Sequence, residues 1–205
     1  MTYTGIISGS LADIYSIYER FAGIFQKRGV NPPFHWRKIS RKVKDSSMKV
    51  IIEAINSSRL KINVFEHKRL PNAERKVVFY ELLPQHICLR LLPWTKELTG
   101  NLTIEVDDDY RIKGKFNITK AFAKSLVENM CFQLIGMRVD SRDESDTIKA
   151  TIKLKKGILN IYGKVMRSDN SKAIQMVDII LGYFIHYQCR DFSRSHVHHW
   201  KIFKN

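Results

Sequence analysis

Acidic residues are scarce in this sequence: 20 Asp and Glu stand against 35 Lys and Arg, leaving a formal net charge of +15. An excess of that size favours a polyanionic partner, with nucleic acid ahead of an anionic membrane; a basic surface that only aids solubility is the plainer alternative. Cysteine is also rare. Cys88, Cys131 and Cys189 are widely separated, odd in number and set in apolar runs, which excludes a disulfide framework or a zinc pattern and leaves reduced core thiols. No apolar run approaches the roughly 18 residues that span a bilayer, so no membrane partner is expected. The opening MTYTGIISGSLADIY lacks the basic start and long apolar centre of a signal peptide. A cytoplasmic protein is expected, in which the Asn-x-Ser/Thr sites at Asn101 and Asn117 carry no glycosylation. There is no Walker-type loop, Gly-x-Gly-x-x-Gly fingerprint or Ser-His-Asp arrangement, which argues against NTPase, dinucleotide and acyl-transfer chemistry.

What the sequence has is a foldable pattern, 44% hydrophobic and 27% charged, without repeats, low-complexity tracts or a clear linker. Residues 3–8 read as a short strand. A helix capped by Ser10 follows, with Leu11, Ile14, Tyr15, Tyr18, Phe21, Ala22 and Phe25 at helical spacing before Gly29 and Pro32-Pro33 end it. The stretch FHWRKISRKVKD crowds Arg37, Lys38, Arg41, Lys42 and Lys44 around Trp36. Basic residues interleaved with an aromatic suit phosphate contact plus base stacking, although a solvated basic loop and helix start explains the segment equally well. The pattern then predicts a helix over 46–56, a strand over 60–66, and a helix kinked at Pro84 or a helix pair over 72–92. A strand carried by Leu102, Ile104 and Val106 runs into Asp107, Asp108 and Asp109. A helix over 119–130, a strand over 132–139, a polar loop SRDESD, and a hairpin of 147–154 with 158–166 come next.

The stretch 166–188 is the most informative. Ser168, Asp169, Asn170 and Ser171 suit a helix start, and Ile174, Val177, Ile180, Leu181 and Phe184 make one face apolar. Asp178 lies beside that face, where a carboxylate costs several kcal/mol unless paired with Arg or Lys or bound to a cation. The alternation of strands and helices predicts an α/β layered domain over 1–190 with a mixed central sheet, followed by a basic tail over 191–205. His196, His198 and His199 in that tail read as a flexible basic end rather than a metal site. Ligands of open α/β sheets bind beyond the carboxyl ends of strands. Asp107 stands at such an end, and a helix-face Asp178 could meet it there around Mg²⁺ or Mn²⁺. The alternative for 107–109 is a solvated acidic turn.

The segment 168–182 resembles the C-terminal signature of an uncharacterised RNase H-like family, whose last helix carries Ser-Lys…Gln-Leu-Ala-Asp. Ser168 stands at the serine, and Ile174-Gln175-Met176-Val177-Asp178 at Ile-Gln-Leu-Ala-Asp, with Val177 for Ala. Residues 104–107 resemble the family's central strand ending in Asp, and Phe34-His35-Trp36 the loop after its first long helix. The resemblance implies an RNase H-like three-layer fold, with Asp107 and Asp178 as catalytic metal ligands, Ser168 and Gln175 supporting the rim, and a nucleic-acid substrate. The family's first strand, Asp-Glu-Ser-Gly, is missing, as is an acidic residue before His35. Three alternatives follow: the start lies upstream, Glu105 or Asp108 completes the metal set, or the site is dead. The expectation is therefore a metal-dependent nuclease-like protein with His35, Trp36, Arg37, Lys38, Arg41 and Lys42 on nucleic acid. The alternative is a non-catalytic nucleic-acid-binding protein or interaction scaffold, in which the tail or a strand edge would serve a homodimer.

Overall fold

A computed structural model describes residues 2–67, 82–95, 98–108, 116–137, 139–144, 147–187, 192 and 197–201. The chain is mixed α/β, as expected, but its described strands form two sheets where the pattern predicts one central sheet. The chain divides into two compact units, the first made of residues 1–69 and 168–205 and the second of residues 70–167.

In the first unit, β1 (Thr2–Ser8) pairs antiparallel with β2 (Lys61–His67), and β2 pairs parallel with β7 (Val197–Lys201). The span 197–201 is thus a sheet strand and not part of a flexible tail. Its Trp200 indole N–H donates to Asn63 Oδ1 at 3.0 Å, and His199 Nε2 lies 2.8 Å from Glu66 Oε2. Three helices accompany this sheet: α1 (Leu11–Gln26), α2 (Arg41–Asn56) and α5 (Lys172–Tyr187). Each begins on a serine whose hydroxyl accepts an N–H of the first turn, Ser10 from Asp13, Ser40 from Val43 and Ser171 from Ile174, which offsets part of the cost of the orphan donors there. The predicted apolar stripe of α1 buries Ile17, Tyr18, Phe21, Ala22 and Phe25. Phe21, Phe25, Phe34, Ile51, Ile55 and Tyr183 are among the largest fully buried side chains, and apolar burial of that size contributes about 1.5–3 kcal/mol per side chain. The helix expected from residue 46 begins at Arg41, because Ser40 provides a cap that the apolar periodicity alone does not reveal.

The second unit carries α3 (Leu83–Thr95), β3 (Gly100–Asp107), α4 (Phe116–Ile135), β4 (Arg142–Glu144), β5 (Thr147–Leu154) and β6 (Gly157–Met166). Its sheet runs β3-β6-β5-β4, parallel between β3 and β6 and antiparallel elsewhere. The β5–β6 hairpin turns through Lys155 and Lys156 as the sequence predicts. Leu159 and Ile161 on β6, and Ile148, Ala150 and Ile152 on β5, are buried, and α4 packs on these strands with Ala123, Leu126, Val127 and Met130 buried.

Pro84 stands in the first turn of α3; residues 72–81 of the expected kinked helix or helix pair lie outside the described residues. Two other expectations for this unit are corrected. The strand expected over 132–139 is the last turn of α4, ended by Gly136 at φ +71°, a conformation that glycine adopts without a Cβ clash. Within the supposed polar loop, Arg142–Glu144 pairs with β5. Cys88 and Cys131 are buried free thiols, as expected. Burial, with Cys131 as neighbour, pushes Cys88 up to about 12, and burial with Glu128 nearby pushes Cys131 up to about 11. Cys189 lies outside the described residues.

Candidate functional site

The first unit brings the signature helix α5 onto the segment that joins α1 to α2. That segment is extended at His35 and then makes a single 3₁₀ turn over Trp36–Lys38. Two side chains of α5, one turn apart, receive two of its backbone donors. Gln175 Oε1 accepts the N–H of Phe34 at 2.9 Å, and Asp178 Oδ2 accepts the N–H of Trp36 at 2.7 Å. Gln175 has 3% exposure and is used at both ends of its amide. Its Oε1 also accepts the Tyr18 hydroxyl at 3.0 Å, while Nε2 donates to the carbonyls of Ser168 and Asp169 at 3.0 and 3.3 Å. One amide therefore ties α1, the 34–36 segment and the turn before α5 together. His35, pointing the other way, meets Asp169 Oδ1 through Nε2 at 2.7 Å.

Trp36 closes the arrangement. Its ring lies against Gly182, where a Cβ would fall 2.1 Å from the indole. It also packs edge-on to Tyr183 at 4.8 Å and stacks on His186 at 5.5 Å. The Lys44 ammonium sits 4.2 Å from the ring centroid, a cation–π distance. Burial holds the Lys44 pKa below its ordinary value, and the charge of Asp178 works in the opposite direction.

The expected site residues separate into groups. Trp36, expected to stack a base, is only 7% exposed and is a wedge between α5 and Lys44. Gln175, expected with Ser168 to support the rim, donates to the Ser168 carbonyl in a backbone latch. The partner that Asp178 needs is a peptide N–H, with Lys44 near it, rather than an Arg or Lys ion pair. Arg37, Lys38, Arg41 and Lys42 are exposed. On the second unit, Glu105 and Asp107 share the exposed face of β3, while the N–H of Asp108 extends the parallel ladder by donating to Met166 at 2.8 Å. Asp109 lies outside the described residues.

A hard divalent cation needs several oxygen ligands converging on one point. Among the described residues no group of three or more His, Cys, Asp or Glu side chains is placed to hold a metal. Asp178 belongs to the first unit, and Glu105, Asp107 and Asp108 belong to the second. The expected Mg²⁺ or Mn²⁺ set is therefore not assembled within either unit, and no chemical step is routed through it. No described helix is long and apolar enough to cross a membrane. The feature that sequence reasoning missed is the pairing of Gln175 and Asp178 with the N–H groups of residues 34 and 36. The matching periods, three along a helix and two along an extended segment, were its available signal. Comparison of the chain with protein-family models, with characterised proteins and with solved structures gives no match.

Proposed function

We propose that the chain is a nucleic-acid-binding protein whose first contact surface is the 3₁₀ turn and the opening turn of α2. The observation that carries this reading is the placement of Arg41 and Lys42 at the start of α2, next to exposed Arg37 and Lys38, with no acidic residue in that first turn. A helix N-terminus carries roughly half a positive charge, so cations there oppose the macrodipole by about 0.3–1 kcal/mol each. Helix stability therefore does not explain them. A bound phosphate does, because it would meet the cations and the positive end of the dipole at once. Trp36 and Ile39, both buried, anchor the turn from below, so the four cations project from a fixed base. Arg41, whose side chain is 93% exposed, meets Asp45 at 3.9 Å, a surface pairing of little strength.

The resemblance of 168–182 to an RNase H-like signature supports the same partner class, and an RNase H-like architecture remains the finer reading of the α/β fold. Binding of a labelled duplex should weaken with salt, by about 0.9 log unit per log unit of salt for each phosphate contact. Changing Arg37, Lys38, Arg41 and Lys42 to Ala together should lower that slope by about 3 to 4. An unchanged slope would refute the assignment of these residues. The same preparations assayed with Mg²⁺ and Mn²⁺ decide the chemistry: cleavage lost in Asp178→Ala and in Asp107→Ala would replace binding with the nuclease reading.

A further inference from the structure

We propose that His35 and Asp169 form a general-base pair that cleaves RNA without a metal, by directing the substrate's own 2′-hydroxyl onto the adjacent phosphorus. The inference rests on the nucleic-acid reading of the basic turn and adds a reaction to it. His35 opens that turn. The Lys38 N–H donates to its carbonyl at 2.9 Å, so Arg37 and Lys38 follow it within one turn of backbone, and residues 35–44 hold five Lys and Arg and no acidic residue. The His35 side chain, 19% exposed, meets the 41% exposed Asp169 carboxylate through Nε2 at 2.7 Å. In the tautomer that gives its Nε2–H to that carboxylate, Nδ1 is the proton acceptor of the ring.

Both members of the pair are held by their backbones. The peptide N–H before His35, on Phe34, donates to Gln175, and the one after it, on Trp36, donates to Asp178. The same Gln175 amide donates to the carbonyl of Asp169 at 3.3 Å. One buried side chain thus fixes two residues that lie 134 apart in sequence. A surface ion pair is worth little and needs no such frame, whereas a base that must reach a hydroxyl at about 3 Å does. The serine hydroxyls of the neighbouring helix starts are committed to caps, Ser40 to the Val43 N–H and Ser171 to the Ile174 N–H. The nucleophile therefore comes with the substrate, and RNA carries one at its 2′ position where DNA carries none. In the step, the 2′-hydroxyl gives its proton to Nδ1 as O2′ bonds to phosphorus. The P–O5′ bond breaks, and the departing O5′ takes a proton from water. The hydroxide left behind accepts the proton of the imidazolium, which restores the pair. The products are a 2′,3′-cyclic phosphate and a 5′-hydroxyl, with no change of oxidation state.

The test is a cleavage assay on the full chain in EDTA, with a labelled RNA oligonucleotide, the same sequence as DNA, and the RNA with one 2′-deoxynucleotide at the mapped cut. The wild-type protein should cut RNA to 2′,3′-cyclic phosphate and 5′-hydroxyl ends and leave the DNA and the deoxy-substituted bond intact. His35→Gln can still donate an amide N–H to Asp169 but cannot act as a base, so it should keep RNA binding and lower kcat by about 10²–10⁴-fold. Asp169→Asn, which weakens the hold on the tautomer, should lower kcat with KM unchanged. Undiminished cutting by His35→Gln, cutting at the deoxy-substituted bond, 5′-phosphate ends, or cutting that requires Mg²⁺ would each overturn the proposal. So would loss of RNA binding in His35→Gln, which would make His35 a latch for the turn. Uncut RNA would overturn it as well: RNA bound but uncut counts against the pair alone, whereas RNA neither bound nor cut counts against the basic turn too.

Discussion

The two units hold themselves together by different means. All five buried polar or charged side chains among the described residues, Ser47, Asn63, Glu66, Ser171 and Gln175, belong to the first unit. Four of them link elements distant in sequence, Gln175 to Tyr18 and Phe34, Ser47 to Tyr183, Asn63 to Trp200 and Glu66 to His199, while Ser171 caps α5. The second unit buries aliphatic side chains and two thiols, and among its described hydrogen-bonded side chains Thr151 and Asn160 lie on the exposed face of the sheet. A buried hydrogen bond adds only about 1 kcal/mol net, but a partner left unsatisfied costs about 1–3 kcal/mol. Polar cross-links therefore penalise wrong arrangements more than they reward the right one. The first unit is assembled from remote segments and uses that penalty; the second is continuous in sequence and packs largely by shape.

The sharpest way to break this contrast is Gln175→Leu. It removes the acceptor for the Phe34 N–H and the Tyr18 hydroxyl and the donor to the carbonyls of Ser168 and Asp169, so a loss of about 2–6 kcal/mol is expected if two of these groups stay orphaned. Hydrogen exchange should show protection collapsing in α1, α2 and α5 while α4 keeps its own. Equal loss in both units would dissolve the distinction. Gly182→Ala comes next. Alanine favours a helix over glycine by about 1 kcal/mol, but its Cβ at 2.1 Å from the indole of Trp36 forces a buried ring aside, at about 1–3 kcal/mol or more. Net destabilisation in a denaturant titration is expected; a gain in stability would show that Trp36 is loosely held. Asp178→Ala should cost about 1–3 kcal/mol through the Trp36 N–H, whereas Asp178→Asn, whose amide oxygen still accepts, should recover most of it. Identical losses in the two variants would mean that the charge, not the acceptor, matters. The smallest effect lies at Tyr187, where burial first and the hydrogen bond to Asp45 second push the phenol up to about 12. The folded state thus holds its proton more tightly than the unfolded chain. That contribution is complete below about 10, the unfolded value, and is lost as pH rises toward about 12. Tyr187→Phe should flatten the alkaline limb of the stability curve and remove a late step from the tyrosinate titration.

Much of the local structure was legible because it follows from short-range rules. Ser10 with a clear apolar stripe marks α1, alternation marks β2 and β3, and Lys155-Lys156-Gly157 between apolar runs marks the hairpin. The errors share a physical origin. Phe132, Leu134 and Ile135 alternate well enough for a strand, yet they continue α4 until Gly136; a short apolar run near a helix end carries both periods. Arg41 to Lys44 lacks apolar residues for a full stripe, so only its cap reveals α2. The division of strands between two sheets depends on pairings across more than a hundred residues, such as Ile62 with Val197, which no local pattern encodes. At the candidate site, Asp178 was legible as a residue in need of a partner. The partner itself, a main-chain N–H, has no side-chain signature.

β7 has a consequence for how the chain is made. It pairs parallel with β2, and α5 supplies the amide that latches α1 to the 34–36 segment, yet both are synthesised after the whole second unit. Loop closure grows costly only slowly with length, but no closure occurs before the later partner exists. During vectorial synthesis, β1, α1, α2 and β2 therefore wait with the edge of β2 uncovered until residue 201 has emerged, whereas the second unit is complete by residue 167. Truncation near residue 190 should then leave a protease-sensitive first unit beside an intact second one, and the nascent first unit is where a chaperone has most to protect.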